Sequence, residues 1–200
     1  MGYYGYYRYY FDPTYFLVLI GAVLCLWAQM RVNSTYRKYA RVRSRSGLTG
    51  AQAAQRILQM SGIYDVRIEH VRGQLTDHYD PRNKVLRLSD SVYGSDSIAA
   101  IGVAAHECGH AVQHDKGYAP LTLRTALVPA ANIGSWAGIP LILLGALLGM
   151  NQLLIQIGIW VFALAVLFQV VTLPVEFNAS GRALAMLGDY GMLEQDETSG

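Results

Sequence analysis

TALVPAANIGSWAGIPLILLGALLGMNQLLIQIGIWVFALAVLFQVVTLPV, residues 125–175, contains no Asp, Glu, Lys or Arg in 51 positions. A transmembrane helix needs about 20 apolar residues, so this stretch is long enough to cross a bilayer twice. Gly149-Met150-Asn151-Gln152 is the natural place for a turn, which gives spans near 127–149 and 153–174 joined as a helical hairpin. A pair of buried helices in a soluble domain is the competing account, and so long a run without charge disfavours it. Pro129, Asn132 and Pro140 make the first of these two spans less regular and favour its lying partly against protein.

A further apolar run lies upstream, TYFLVLIGAVLCLWAQM at residues 14–30, after the tyrosine-rich start MGYYGYYRYYFDP. Tyrosines collect at the water–lipid boundary because the ring is apolar and the hydroxyl is wet. A cleaved signal peptide fits poorly: no basic segment precedes the run, and Gln29-Met30-Arg31 is not a small-residue cleavage site. Only Arg8 precedes this span, whereas Arg31, Arg37, Lys38, Arg41, Arg43 and Arg45 follow it. The positive-inside rule then places the N-terminus outside and the segment after the span in the cytoplasm, where its basic residues also suit anionic headgroups.

The composition agrees with a chain partly in lipid, with 52% hydrophobic and 15% charged residues, against about 25% charged in soluble domains. A net charge of +2 gives no argument for nucleic acid. Cys25 and Cys108 form no recognisable disulfide framework. The chain divides into residues 1–30 (tyrosine-rich start and first span), 31–126 (cytoplasmic α+β segment), 127–174 (membrane hairpin) and 175–200 (a cytoplasmic helix).

Within the polar segment, Thr49-Gly50-Ala51-Gln52 fits a capping box that opens a helix running to about Met60, with Gly62 as its stop. Residues 66–71 and 84–88 alternate with a period of two and read as strands, and a short strand near 75–79 completes a hairpin with 84–88. Ser95-Asp96-Ser97 caps a second helix from Ile98 to about His114.

That helix carries His106-Glu107-Cys108-Gly109-His110. Residues four apart share a helix face, so both imidazoles can reach one zinc ion. Glu107 then stands beside the metal, where a carboxylate can take a proton from a metal-activated water and return it to a leaving amine. Gly109 is expected to leave room at the metal, and Cys108 to pack away from it. A catalytic zinc site needs a third protein ligand and an open position. No histidine follows His114 in this sequence. Glu176, after Pro174, is the favoured third ligand, because two crossings return the chain to the side of the histidines; Glu194 is the alternative. Pro174 is expected to begin a new helix.

Three segments together, residues 75–81 (LTDHYDP), 103–111 (VAAHECGHA) and 173–180 (LPVEFNAS), resemble those of the YugP-like membrane zinc metallopeptidases. The likeness runs from the first span to the C-terminus. It implies a mainly α membrane protein with a small α+β zincin-like catalytic domain. It also implies His106, His110 and Glu176 as Zn2+ ligands, Glu107 as catalytic acid/base, and membrane or membrane-proximal polypeptides as substrates. More remotely the layout is similar to HtpX-like membrane peptidases, which points by analogy to membrane-protein quality control in a bacterial-type cytoplasmic membrane. Two departures stand out. Ser180 occupies the place where many glutamate-ligand peptidases carry an Asp that orients a histidine, with Asn178 or Asp189 as substitutes. Relatives continue into another apolar segment, where this chain ends on a polar run. His78, Tyr79 and Arg182 are the candidates for holding the oxyanion or the substrate; His114, four residues past His110, is expected to be an outer partner of the site or an exposed residue rather than a ligand, and His70 has no assigned role. A non-catalytic zinc-binding scaffold or chaperone is the alternative function, and a zinc hydrolase acting on other bonds is a third.

Overall fold

The computed structural model describes residues 14–198; the tyrosine-rich start lies outside them. Six helices and three strands follow in the order α1 (Thr14–Tyr39), α2 (Gly50–Met60), β1 (Arg67–Val71), β2 (His78–Asp80), β3 (Val85–Ser89), α3 (Ile98–Asp115), α4 (Ala119–Leu147), α5 (Gln152–Asp189) and α6 (Gln195–Thr198). Three of them, α1, α4 and α5, are long and apolar enough to cross a membrane. Residues 15–30 of α1 are exposed at every position. An unbroken apolar surface of that kind is covered only by lipid or another span.

Hydropathy marks where these helices leave an apolar layer but not where they end. The helices run on through 30/31, 126/127 and 174/175. α4 begins at Ala119 because Pro120 is tolerated in a first turn, where its missing N–H costs nothing. Pro174, expected to open a new helix, instead lies inside α5. With 38 residues, α5 is about 57 Å long at 1.5 Å per residue, nearly twice a hydrocarbon core of about 30 Å. Its last turns therefore stand outside the apolar layer while remaining continuous with the span.

The α4–α5 hairpin turns where expected, with Gly149 at φ +73° and Met150 at +63°, and the Asn151 side chain caps α5 by accepting from the Leu154 amide. The two helices approach through small residues. A Cβ on Gly134 would lie 2.6 Å from the Val161 carbonyl oxygen, and one on Gly138 would lie 2.8 Å from the Phe162 Cβ. Close backbone packing of this sort is how helices associate where apolar surface gains nothing by leaving lipid.

The polar segment packs α2, α3 and the sheet around Ile57, Leu58, Leu86, Leu88, Val92 and Ile101. The Thr49–Gln52 capping box forms in full, and Gly62 adopts φ +77°. Strand order is β1-β3-β2, with β1 parallel and β2 antiparallel to β3. β2 is shorter and later than the 75–79 expected. Leu75 sits at φ +55°, which is incompatible with a strand there, and pairing begins only at His78↔Arg87. Asp80 closes the hairpin, accepting from the amides of Arg82 and Asn83. β3 is central and buried on both faces except at Arg87.

Inserting one methyl at Gly134 should lower hairpin stability by about 1–3 kcal/mol. Gly134→Ala is expected to melt several degrees below wild type in detergent. Gly188→Ala, whose Cβ meets nothing within 4 Å, should melt at or above it. Equal midpoints for wild type and Gly134→Ala would remove the close approach.

Candidate metal centre

Ser97 starts α3 by accepting from the Ala100 amide, and the helix carries His106 and His110 one turn apart with ring centroids at 4.8 Å. The other element of the centre is α5. Its continuity past Pro174 brings Glu176 to the histidines, with Oε2 at 3.2 Å from His106 Nε2 and 3.5 Å from His110 Nε2. Ligand bonds of about 2.0–2.1 Å in a tetrahedral site put donor atoms about 3.3 Å apart, so the two separations fit a zinc ion. Among the described residues, this cluster has three candidate ligands, all of whose donor atoms lie within 4.8 Å of one another.

Gly109 serves a different purpose from the one expected. A Cβ there would stand 2.6 Å from the Ala179 carbonyl oxygen. The missing side chain makes room for the α5 backbone rather than for the metal. Cys108 packs away as expected, fully buried with its thiol donating to the Ala54 carbonyl.

Both imidazoles are held through Nδ1. Gln113 Nε2 donates to the Val175 carbonyl (2.8 Å) and to Asn178 Oδ1 (3.0 Å). The amide oxygen is thereby left to accept from His110 Nδ1 at 3.0 Å. With its proton on Nδ1, His110 presents an unprotonated Nε2, the form a metal requires. Ser180 Oγ lies 3.2 Å from His106 Nδ1, in the position expected of an orienting Asp. Asn178 touches neither histidine; it accepts from Gln113 and from Arg182 Nε. Asp189 is exposed at the end of α5. Gln113 was not singled out from the sequence. Its signal in the sequence is an amide three residues past His110, on the same helix face as both histidines, and it is fully buried.

Glu107 is 9% exposed. Burial pushes its carboxyl above the usual carboxylate range, opposed by His110, His106 and the Tyr79 backbone amide that faces it. The three oxyanion candidates are otherwise occupied. His78 donates from Nδ1 to the Thr76 carbonyl and accepts from Arg87. The Tyr79 hydroxyl, pushed up to about 12 by burial, bonds His114 Nδ1 at 2.8 Å. Arg182 is tied to Asn178. Glu194, the alternative ligand, pairs with Arg45, and His70 pairs with Asp90. A cleft of about 420 Å³ runs beside the metal helix between Arg82, Gln113, His114, Tyr118 and Leu121. A larger cavity of about 510 Å³ opens between α1 and α3 and is lined by neither Glu107 nor a candidate ligand.

Removing an outer partner of a metal-bound histidine typically weakens metal affinity about 10–100-fold. Gln113→Leu should show that loss in a chelator competition with zinc while keeping wild-type helicity. Unchanged affinity would mean that the amide does not orient His110.

Residues 14–200 match the family model described as "Putative neutral zinc metallopeptidase". The chain is 48% identical over 185 residues, covering 92% of its own length and 82% of the relative's, to the "Putative membrane protease YugP" of Bacillus subtilis (strain 168). No solved structure matches it. Three apolar helices, a His–His–Glu cluster spaced for zinc, and a family match across nearly the whole length place this chain among the membrane-associated neutral zinc metallopeptidases.

Proposed function

We propose that the protein is a membrane-embedded endopeptidase of the HExxH-plus-Glu type, with a zincin-like site on the cytoplasmic face that cleaves membrane or membrane-proximal polypeptides. The observation that carries this reading is the pairing of a three-donor cluster with a buried carboxylate beside it. A structural zinc site is closed by four ligands, whereas a catalytic one keeps a position for water. A scaffold would need no acid at position 107.

His106, His110 and Glu176 would hold the ion, which when bound acidifies a water and polarises a scissile carbonyl. Glu107 accepts the water's proton and delivers it to the leaving amine. Its burial favours both halves of that task, since a carboxyl raised above its usual range is a better base and returns the proton near neutral pH. β2 is an edge strand, and the influence of its Tyr79 backbone amide on the Glu107 carboxyl places that strand beside the carboxylate. An extended substrate laid along that edge, with side chains in the cleft beside Gln113 and Tyr118, would pass Glu107. The cytoplasmic placement rests on the six basic residues that follow the first span. A role in membrane-protein quality control fits a site fed from the membrane surface.

In detergent, the wild type should carry one zinc per chain and cleave casein. Glu107→Gln is expected to retain the zinc and lose about 10²–10⁴-fold in rate; Glu176→Ala should lose the metal itself. A Glu107→Gln protein with full cleavage sinks the catalytic assignment. For orientation, a cysteine at Tyr64, which is 80% exposed, in a chain with Cys25 and Cys108 replaced by Ser should react with an impermeant maleimide only after cells are opened. Labelling in intact cells would reverse the topology.

A further inference from the structure

Arg124 is the last charged residue before the 51-residue uncharged run. At the end of a membrane-crossing helix an arginine ordinarily extends its stem towards water or headgroups. This one turns inward. Its Nη2 lies 3.8 Å from Glu176 Oε1, and only 34% of the side chain is exposed. Its Nε is buried with no hydrogen-bond partner, the single such side-chain atom among the described residues. Proteins pair nearly all buried polar atoms, and an exception calls for a reason. Fold stability does not supply one, because a half-exposed ion pair at that distance returns little and the orphaned Nε costs free energy.

What the placement does achieve is a division of the carboxylate. Oε2 is turned to both imidazoles, at 3.2 and 3.5 Å, while Oε1 is turned to the guanidinium. We propose that Arg124 is the positioning residue for Glu176, holding Oε1 off the metal so that Oε2 alone binds and one coordination position stays free for the reacting water. The inference rests on the reading of His106, His110 and Glu176 as the zinc ligands. It assigns to a membrane-helix arginine the task of keeping a three-ligand site from closing on itself.

The test uses the full chain in detergent, stripped of metal and loaded with Co2+, whose visible absorption weakens as a four-coordinate site becomes five-coordinate. Wild type should give the intense four-coordinate spectrum. Arg124→Met should give the weaker one, with kcat down about 10–100-fold, KM little changed, and a thermal midpoint equal to or above wild type. Arg124→Lys, which keeps a cation at Oε1, should recover part of the spectrum. Identical cobalt spectra for wild type and Arg124→Met overturn the proposal, and a lower midpoint with an unchanged spectrum assigns Arg124 to the fold. A wild-type chain that takes up no cobalt overturns the ligand assignment itself, and the proposal with it.

Discussion

The contact between Gly109 and Ala179 sets the geometry of everything around it. The Ala179 carbonyl oxygen occupies the space that a side chain at position 109 would need, 2.6 Å from an ideal Cβ. Two helices can lie that close only where one of them presents bare backbone. The consequence reaches one turn in each direction. On α3 the contact is flanked by Glu107 and His110, and on α5 it lies three residues past Glu176 and one before Ser180. Bringing the backbones together is what lets a single carboxylate oxygen face two imidazoles at 3.2 and 3.5 Å.

That contact also ties the chemistry to the membrane. α5 is one helix from the hairpin turn at Asn151 to Asp189, so the turn that carries Glu176 is a continuous extension of an apolar helix. A break at Pro174 would have hung Glu176 on a hinge. The proline is accommodated instead, at an exposed position within the continuous helix. The glycines at the α4–α5 interface let α4 pack closely against the same helix that carries Glu176.

The sequence revealed the features that are written locally. The histidine pair, the caps at Thr49 and Ser97 and the turn at Asn151 each depend on residues within four positions of one another, and all lie where the sequence put them. Glu176 was legible for another reason: counting crossings places it on the side of the histidines without any knowledge of packing. Gln113 and Arg124 escaped notice because their meaning is long-range. Gln113 reads as a polar residue on a helix until Val175 and Asn178, 62 and 65 residues later, arrive to satisfy its amide. Arg124 reads as an interfacial cation until its Nη2 is seen beside Glu176. Pro174 and Gly109 misled in the opposite sense: a local rule gave each a role that tertiary contacts overrode.

The two histidines are supported differently, and burial explains why. The His110 side chain is 9% exposed and that of His106 28%. On the dry side an unpaired polar atom costs about 1–3 kcal/mol, so His110 is met by an amide whose own donors are both used. On the wet side water can complete any partner left short. There the partner of His106 is the Ser180 hydroxyl, which surrounding water can supplement. The same gradient gives the site a direction. Gln113, Val175 and the core close the side of His110, while the exposed faces of His106, Ser180 and Glu176 form its open wall. That wall is the accessible side of the His–His–Glu cluster, and it is where a weaker orienting partner costs least.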